Sequence, residues 1–89
     1  MKIKLELFGA SKDFSDKDFL EFDIKGKINI KDLRKEIIHY LNKNFKGNNI
    51  FKKIVENSAF CSEDNNIIED NYKIIKDQKI GIIPPIGGG

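Results

Sequence analysis

Residues 2–7, Lys-Ile-Lys-Leu-Glu-Leu, alternate polar and apolar without a break, and successive side chains of an extended chain point to opposite faces. The pattern commits the start of the chain to a strand with Ile3, Leu5 and Leu7 against a core. A strand covered on one face needs neighbours, so a sheet must form around it. Phe8 follows on the face opposite the three aliphatic residues. A large ring left outside near a strand end marks a candidate contact for a partner, the plainer alternative being packing against the loop that follows.

The remaining elements follow from the same kind of reading. Gly9 to Lys17 carries Gly, Ser and Asp and reads as a connection. Leu20, Phe22 and Ile24 alternate with Glu21 and Asp23, predicting a second strand that forms an antiparallel hairpin with the first and ends in a turn at Lys25-Gly26-Lys27. Ile30, Leu33, Ile37, Tyr40 or Leu41, and Phe45 then recur at steps of three and four, the spacing of one apolar helix face. Asn29 can cap that helix, Asp32 places negative charge in its first turn, and Gly47 is a stop. Asn48 to Val55 reads as a further short helical turn and Asn57 to Cys61 as extended. Ser62 to Asn66 is a polar loop, Ile67-Ile68 a short strand and Asp70-Asn71 a turn. Lys79 to Ile83 is the last strand, whose almost continuous apolar run suits a central position with both faces covered.

The order β-β-α-β-β predicts an α+β chain, with one main helix packed across a mixed sheet of four to five strands. This is the β-grasp arrangement best known from ubiquitin. A right-handed crossover through the helix sets the first and last strands parallel and adjacent. A ferredoxin-like fold uses the same elements but needs a second full helix, for which Asn48 to Val55 is too short. At 89 residues the expectation is a single domain over residues 1–83.

Composition excludes several functions. No apolar run approaches the ~20 residues that span a bilayer, and Met1 leads straight into a strand pattern rather than a signal peptide, so no membrane association and a cytoplasmic location are expected. A net charge of +2, with both signs interleaved and Arg34 the only arginine, argues against nucleic acid as a partner. Cys61 is the single cysteine and sits in a strand pattern, which reads as a structural thiol. His39 is the single histidine and occupies a helix flank. One Cys and one His make no ligand set, so neither a metal nor a bound cofactor is expected.

The last six residues, Pro84-Pro85-Ile86-Gly87-Gly88-Gly89, carry the chemistry. Two prolines cannot donate to a ladder, so they end strand pairing and direct an extended, flexible tail over residues 84–89 away from the body. Three glycines in succession are costly to order, which makes them a poor way to stabilise a fold. Without β-carbons they can thread a narrow channel, and at about 3.3 Å per residue Ile86 to Gly89 carries its end roughly 13 Å outward. A carboxylate is a poor acyl donor until adenylation makes it a mixed anhydride, open to attack by a persulfide or by an enzyme thiol.

The ending Ile82-Ile83-Pro84-Pro85-Ile86-Gly87-Gly88-Gly89 resembles that of the small subunit of molybdopterin synthase, in the ubiquitin-like sulfur-carrier family. Leu7-Phe8-Gly9-Ala10-Ser11-Lys12-Asp13 is similar to the aromatic-small segment of that family, with Lys12-Asp13 where Arg-Glu is usual, and Asn29 stands for the usual Thr at the helix start. Gly87 replaces a Ser, Ala or Thr, and Lys76-Asp77-Gln78-Lys79 lacks the Gly-Asp turn common before the last strand. The resemblance implies a carrier that catalyses nothing alone. An E1-like adenylating enzyme would spend ATP to activate Gly89, with Gly88 its obligate neighbour, and a sulfurtransferase would supply sulfur. The thiocarboxylate would then enter the large, catalytic subunit of molybdopterin synthase. Phe8, Lys12, Pro84, Pro85, Ile86 and Gly87 are the expected partner contacts. Sulfur carriage toward thiamine or tRNA thiolation, and conjugation to target proteins as a ubiquitin-like modifier through Gly89, are the alternatives.

Overall fold

The computed structural model describes residues 1–46 and 49–85. Its first strand, β1 (Lys2–Leu7), pairs antiparallel with β2 (Phe19–Asp23) and parallel with β7 (Gln78–Ile83). Alternation decides the faces: Ile3 and Leu5 are fully buried and Leu7 nearly so. β4 (Ala59–Cys61) joins the other side of β7 and β5 (Ile67–Ile68) joins β4, giving a five-stranded sheet in the order β2-β1-β7-β4-β5. The last strand is therefore the middle strand, as its apolar run predicts. Ile80 and Ile82 go into the core and Gly81 is buried on the opposite face.

Helix α1 (Ile30–Asn44) lies across this sheet. Its start is fixed as expected, the Asn29 side-chain oxygen accepting the Asp32 N–H at 2.7 Å. Ile30, Leu33, Ile37 and Leu41 are buried, each contributing about 1.5–3 kcal/mol through the apolar area it removes from water. Phe45 departs from the expected stripe. It follows the helix as the residue that closes it, stays partly exposed, and packs edge-on against Phe51 with ring centroids 5.0 Å apart. Gly47, the expected stop, lies outside the described residues.

Three features differ from the sequence reading. The connection after β1 contains a 3₁₀ helix, Gly9–Phe14, that buries Phe14 in the core against Phe51. The polar residues around Phe14 hide this anchor from a periodicity argument. The short helical turn is a nine-residue helix, α2 (Asn49–Asn57), which buries Val55 yet leaves the β-grasp order intact. A second, two-stranded sheet pairs β3 (Ile28–Asn29) with β6 (Lys73–Ile74), burying Ile28 and Ile74 opposite each other.

The junction from α2 into β4 is held by the chain's only arginine. Arg34 Nη1 donates to the carbonyl oxygens of Val55 at 2.7 Å and Ser58 at 2.8 Å, and Nη2 reaches Asp70 Oδ1 at 2.8 Å. The guanidinium also lies 4.8 Å from the centre of the Phe60 ring. Terminal helix carbonyls have no partner within the helix, and a planar five-donor fork satisfies several at once. No helix among the described residues is long and apolar enough to cross a membrane.

Candidate functional site

Strand pairing on β7 stops at Ile83, opposite Ala59, because Pro84 and Pro85 have no N–H to continue it. Pro84 is buried and Pro85 exposed. The ring of Pro84 rests beside Gly9, where a β-carbon would lie 3.9 Å from its Cδ. Gly9 has φ +55°, the left-handed backbone that lets β1 turn abruptly into the 3₁₀ helix. Ser11 locks this knuckle from inside. It is fully buried, and its hydroxyl accepts the Phe8 N–H at 2.9 Å while donating to the Phe8 carbonyl at 2.6 Å.

The same corner carries Phe8, 43% exposed on the helix-free face of the sheet. Its ring reaches across to β7: a β-carbon at Gly81 would meet Phe8 Cε2 at 3.1 Å and Cys61 Sγ at 2.6 Å. Glycine is required there because ring and thiol both occupy the space above the strand. Cys61 is accordingly half-buried and unpaired in a disulfide. Lys12 is exposed on the 3₁₀ helix and shares with Phe8, Lys4, Glu6, Asp18 and Phe19 a shallow cavity of about 430 Å³. Beside it Lys79 Nζ lies 2.9 Å from Glu6 Oε1. The hydrogen bond that Lys79 donates to the Glu6 carboxylate, and then the negative charge of that carboxylate, raise the Lys79 pKa above its ordinary value.

Of the expected site residues, the structure brings Phe8, Lys12 and Pro84 together around the Gly9 knuckle and leaves Pro85 exposed at its rim. Ile86, Gly87, Gly88 and Gly89 lie outside the described residues. His39 is exposed on the flank of α1. Sequence reasoning missed Gly9, Ser11 and Gly81 as parts of this corner. Gly81 did carry a signal, since a glycine inside an apolar strand marks a close approach by something else. Among the described residues, no group of three or more His, Cys, Asp or Glu side chains is placed to hold a metal ion.

No family model matches the sequence, and no curated protein matches it. Solved structures do. SAMP1 from Haloferax volcanii superposes with a TM-score of 0.69 at 12% identity, with 100% of both chains covered. "Putative molybdopterin converting factor, subunit 1" from Pyrococcus furiosus gives 0.69 at 16% identity, covering 96% of this chain and 98% of that one. The chain has the ubiquitin-like β-grasp fold. At these identities the likeness is one of backbone. Within this β-grasp body, the corner of Phe8, Gly9 and Pro84 is where the middle strand hands over to residues 84–89.

Proposed function

We propose that the chain is a sulfur carrier of molybdopterin biosynthesis that works through Gly89. The carboxylate attacks the α-phosphate of ATP on an E1-like adenylating enzyme, releasing pyrophosphate and leaving an acyl adenylate. The terminal sulfur of a persulfide, supplied by a sulfurtransferase, displaces AMP to give an acyl disulfide. A second thiol then cleaves the S–S bond, leaving a thiocarboxylate on the carrier and a new disulfide on its partner. The thiocarboxylate enters the large subunit of molybdopterin synthase and gives up its sulfur there.

The observation that carries this reading is the run Pro84-Pro85-Ile86-Gly87-Gly88-Gly89, joined without a spacer to the central strand of a β-grasp body, with Pro84 resting against Gly9, the neighbour in sequence of the exposed Phe8. The fold shared with the Pyrococcus furiosus protein supports it. In the proposal Phe8, Lys12 and Pro85 meet the partner while Ile86 and Gly87 line its channel, and apolar burial supplies the docking energy. The test is to delete Gly88-Gly89 and assay molybdopterin formation with the large subunit. Activity should vanish with thermal stability unchanged; undiminished activity refutes the carrier role.

A second reading, a ubiquitin-like modifier conjugated through Gly89, is favoured by the equal likeness to SAMP1. Mass spectrometry separates the two. A gain of about 16 Da at the C-terminus, sulfur for oxygen, marks the carrier, and Gly-Gly remnants on target lysines mark the modifier.

A further inference from the structure

Pro84 is the last buried residue of the described chain, and strand pairing on β7 has already ended at Ile83. Packing must therefore hold it in place. The surface it packs on is Gly9, where a β-carbon would lie 3.9 Å from Pro84 Cδ and 4.0 Å from Cγ. One side chain fixes that surface in turn. The Ser11 hydroxyl takes both backbone polar groups of Phe8, accepting the N–H at 2.9 Å and donating to the carbonyl at 2.6 Å. The Ser11 N–H adds a third bond to the same carbonyl at 3.1 Å, so Gly9 and Ala10 are spanned by three bonds.

Among the described residues, Ser11 and Ser58 are the buried polar side chains. A buried hydroxyl needs partners, and the two find them differently. Ser58 bonds back to the Ile54 carbonyl, a local contact at the end of α2. Ser11 instead closes the turn on which Pro84 rests.

We infer that Ser11 is a positioning residue for the acyl terminus, an inference that rests on the carrier reading. Its hydroxyl acts through Gly9 on Pro84 and sets the heading with which the chain is handed to a partner's active site. Four residues follow Pro85, and fully extended they span about 13 Å. A rotation of about 10° at Pro84 then swings the terminal carboxyl sideways by roughly 2 Å. Misplacing a reacting group by even about 1 Å can slow a reaction about 100-fold. Docking depends less on the hydroxyl. The Phe8 ring is seated separately, over Gly81 and beside Cys61, and Lys12 is exposed. Loss of the hydroxyl therefore acts on the rate of transfer and spares affinity.

The test compares Ser11→Thr with Ser11→Val in the full chain, a nearly isosteric pair in which only Thr keeps the hydroxyl, so strain from added volume is common to both. Ser11→Ala, which adds no volume, is compared with wild type. Each chain is given a C-terminal thiocarboxylate by intein cleavage and mixed with excess large subunit and its substrate in single turnover. Thr should transfer sulfur about tenfold faster than Val, and wild type about tenfold faster than Ala, with half-saturation by the large subunit changed less than about twofold. With Pro84→Ala added, the Thr and Val rates should agree within about twofold, because the ring through which the hydroxyl acts is gone. In the unloaded chains, the nuclear Overhauser contact between Gly9 Hα and Pro84 Hδ should persist in wild type and Thr and weaken in Val and Ala. Equal rates within either pair, a loss confined to half-saturation, a Thr to Val gap that survives Pro84→Ala, or an unaltered Overhauser contact would each overturn the proposal. No transfer by any chain, wild type included, refutes the carrier reading instead, and the Overhauser comparison then decides by itself whether Ser11 positions Pro84.

Discussion

Replacing Arg34 with methionine keeps the stem that packs under the chain and removes the fork, so the cost isolates what the guanidinium does. The Ser58 carbonyl loses the Arg34 donor and the Val55 carbonyl keeps only the longer bond from the Ser58 N–H at 3.3 Å, and a buried carbonyl left unpaired costs about 1–3 kcal/mol. Asp70 is more than half exposed, so its ion pair adds no more than about 1 kcal/mol, and stacking on Phe60 adds about 0.5–1 kcal/mol. Water entering beside the 19%-exposed side chain returns part of this, which leaves a loss of about 3 kcal/mol. For a chain whose whole stability is of order 5–10 kcal/mol that is a large fraction. Urea unfolding followed by circular dichroism should show the midpoint falling by about 2–3 M with an unchanged slope. Asp70→Asn, which spares both carbonyl bonds, should cost less than about 1 kcal/mol. If Arg34→Met and Asp70→Asn cost the same, the carbonyl clip contributes nothing and the reasoning fails.

Two further outcomes follow from the outer face of the sheet. Gly81→Ala places a methyl group against Cys61 Sγ and Phe8 Cε2 and should cost about 1–3 kcal/mol; adding Cys61→Ala should recover at least half of it in thermal melts, and strict additivity would show that the two sites do not touch. Lys79 has its pKa raised by Glu6, so while the Glu6 carboxylate is ionised the pair stabilises the fold below the ordinary lysine value of 10.5 and loses that contribution as pH climbs through the raised folded value. The stability gap between wild type and Glu6→Gln should accordingly be flat from neutrality to mildly alkaline pH and close in strong alkali. A gap that widens there would contradict the pairing.

The elements legible in the sequence were those whose burial has a period. β1, β2 and α1 each present one covered face, so Ile3-Leu5-Leu7, Leu20-Phe22 and Ile30-Leu33-Ile37-Leu41 announce both the element and its orientation. The parallel placement of β1 beside β7 then follows from the handedness of the crossover. What escaped has no period. Phe14 is a single anchor in a polar 3₁₀ helix, β3 and β6 are two residues each, and the role of Arg34 depends on carbonyls 21 and 24 positions away in sequence. At the site, composition marked Phe8 and the prolines because their physics is local. Ser11 and Gly9 matter only through the turn that they hold closed, which a linear reading cannot weigh.

The central position of β7 has a consequence for the order of assembly. Among the described residues, the hairpin of β1 and β2 and the pair β4–β5 are joined into one sheet through residues 78–83, which pair with both. During synthesis from the N-terminus, the two halves must wait for that stretch to leave the ribosome before either gains its full neighbour. The segment that closes the body is thus the one that ends at Pro84, so in an incompletely folded chain that proline has no Gly9 corner to rest against.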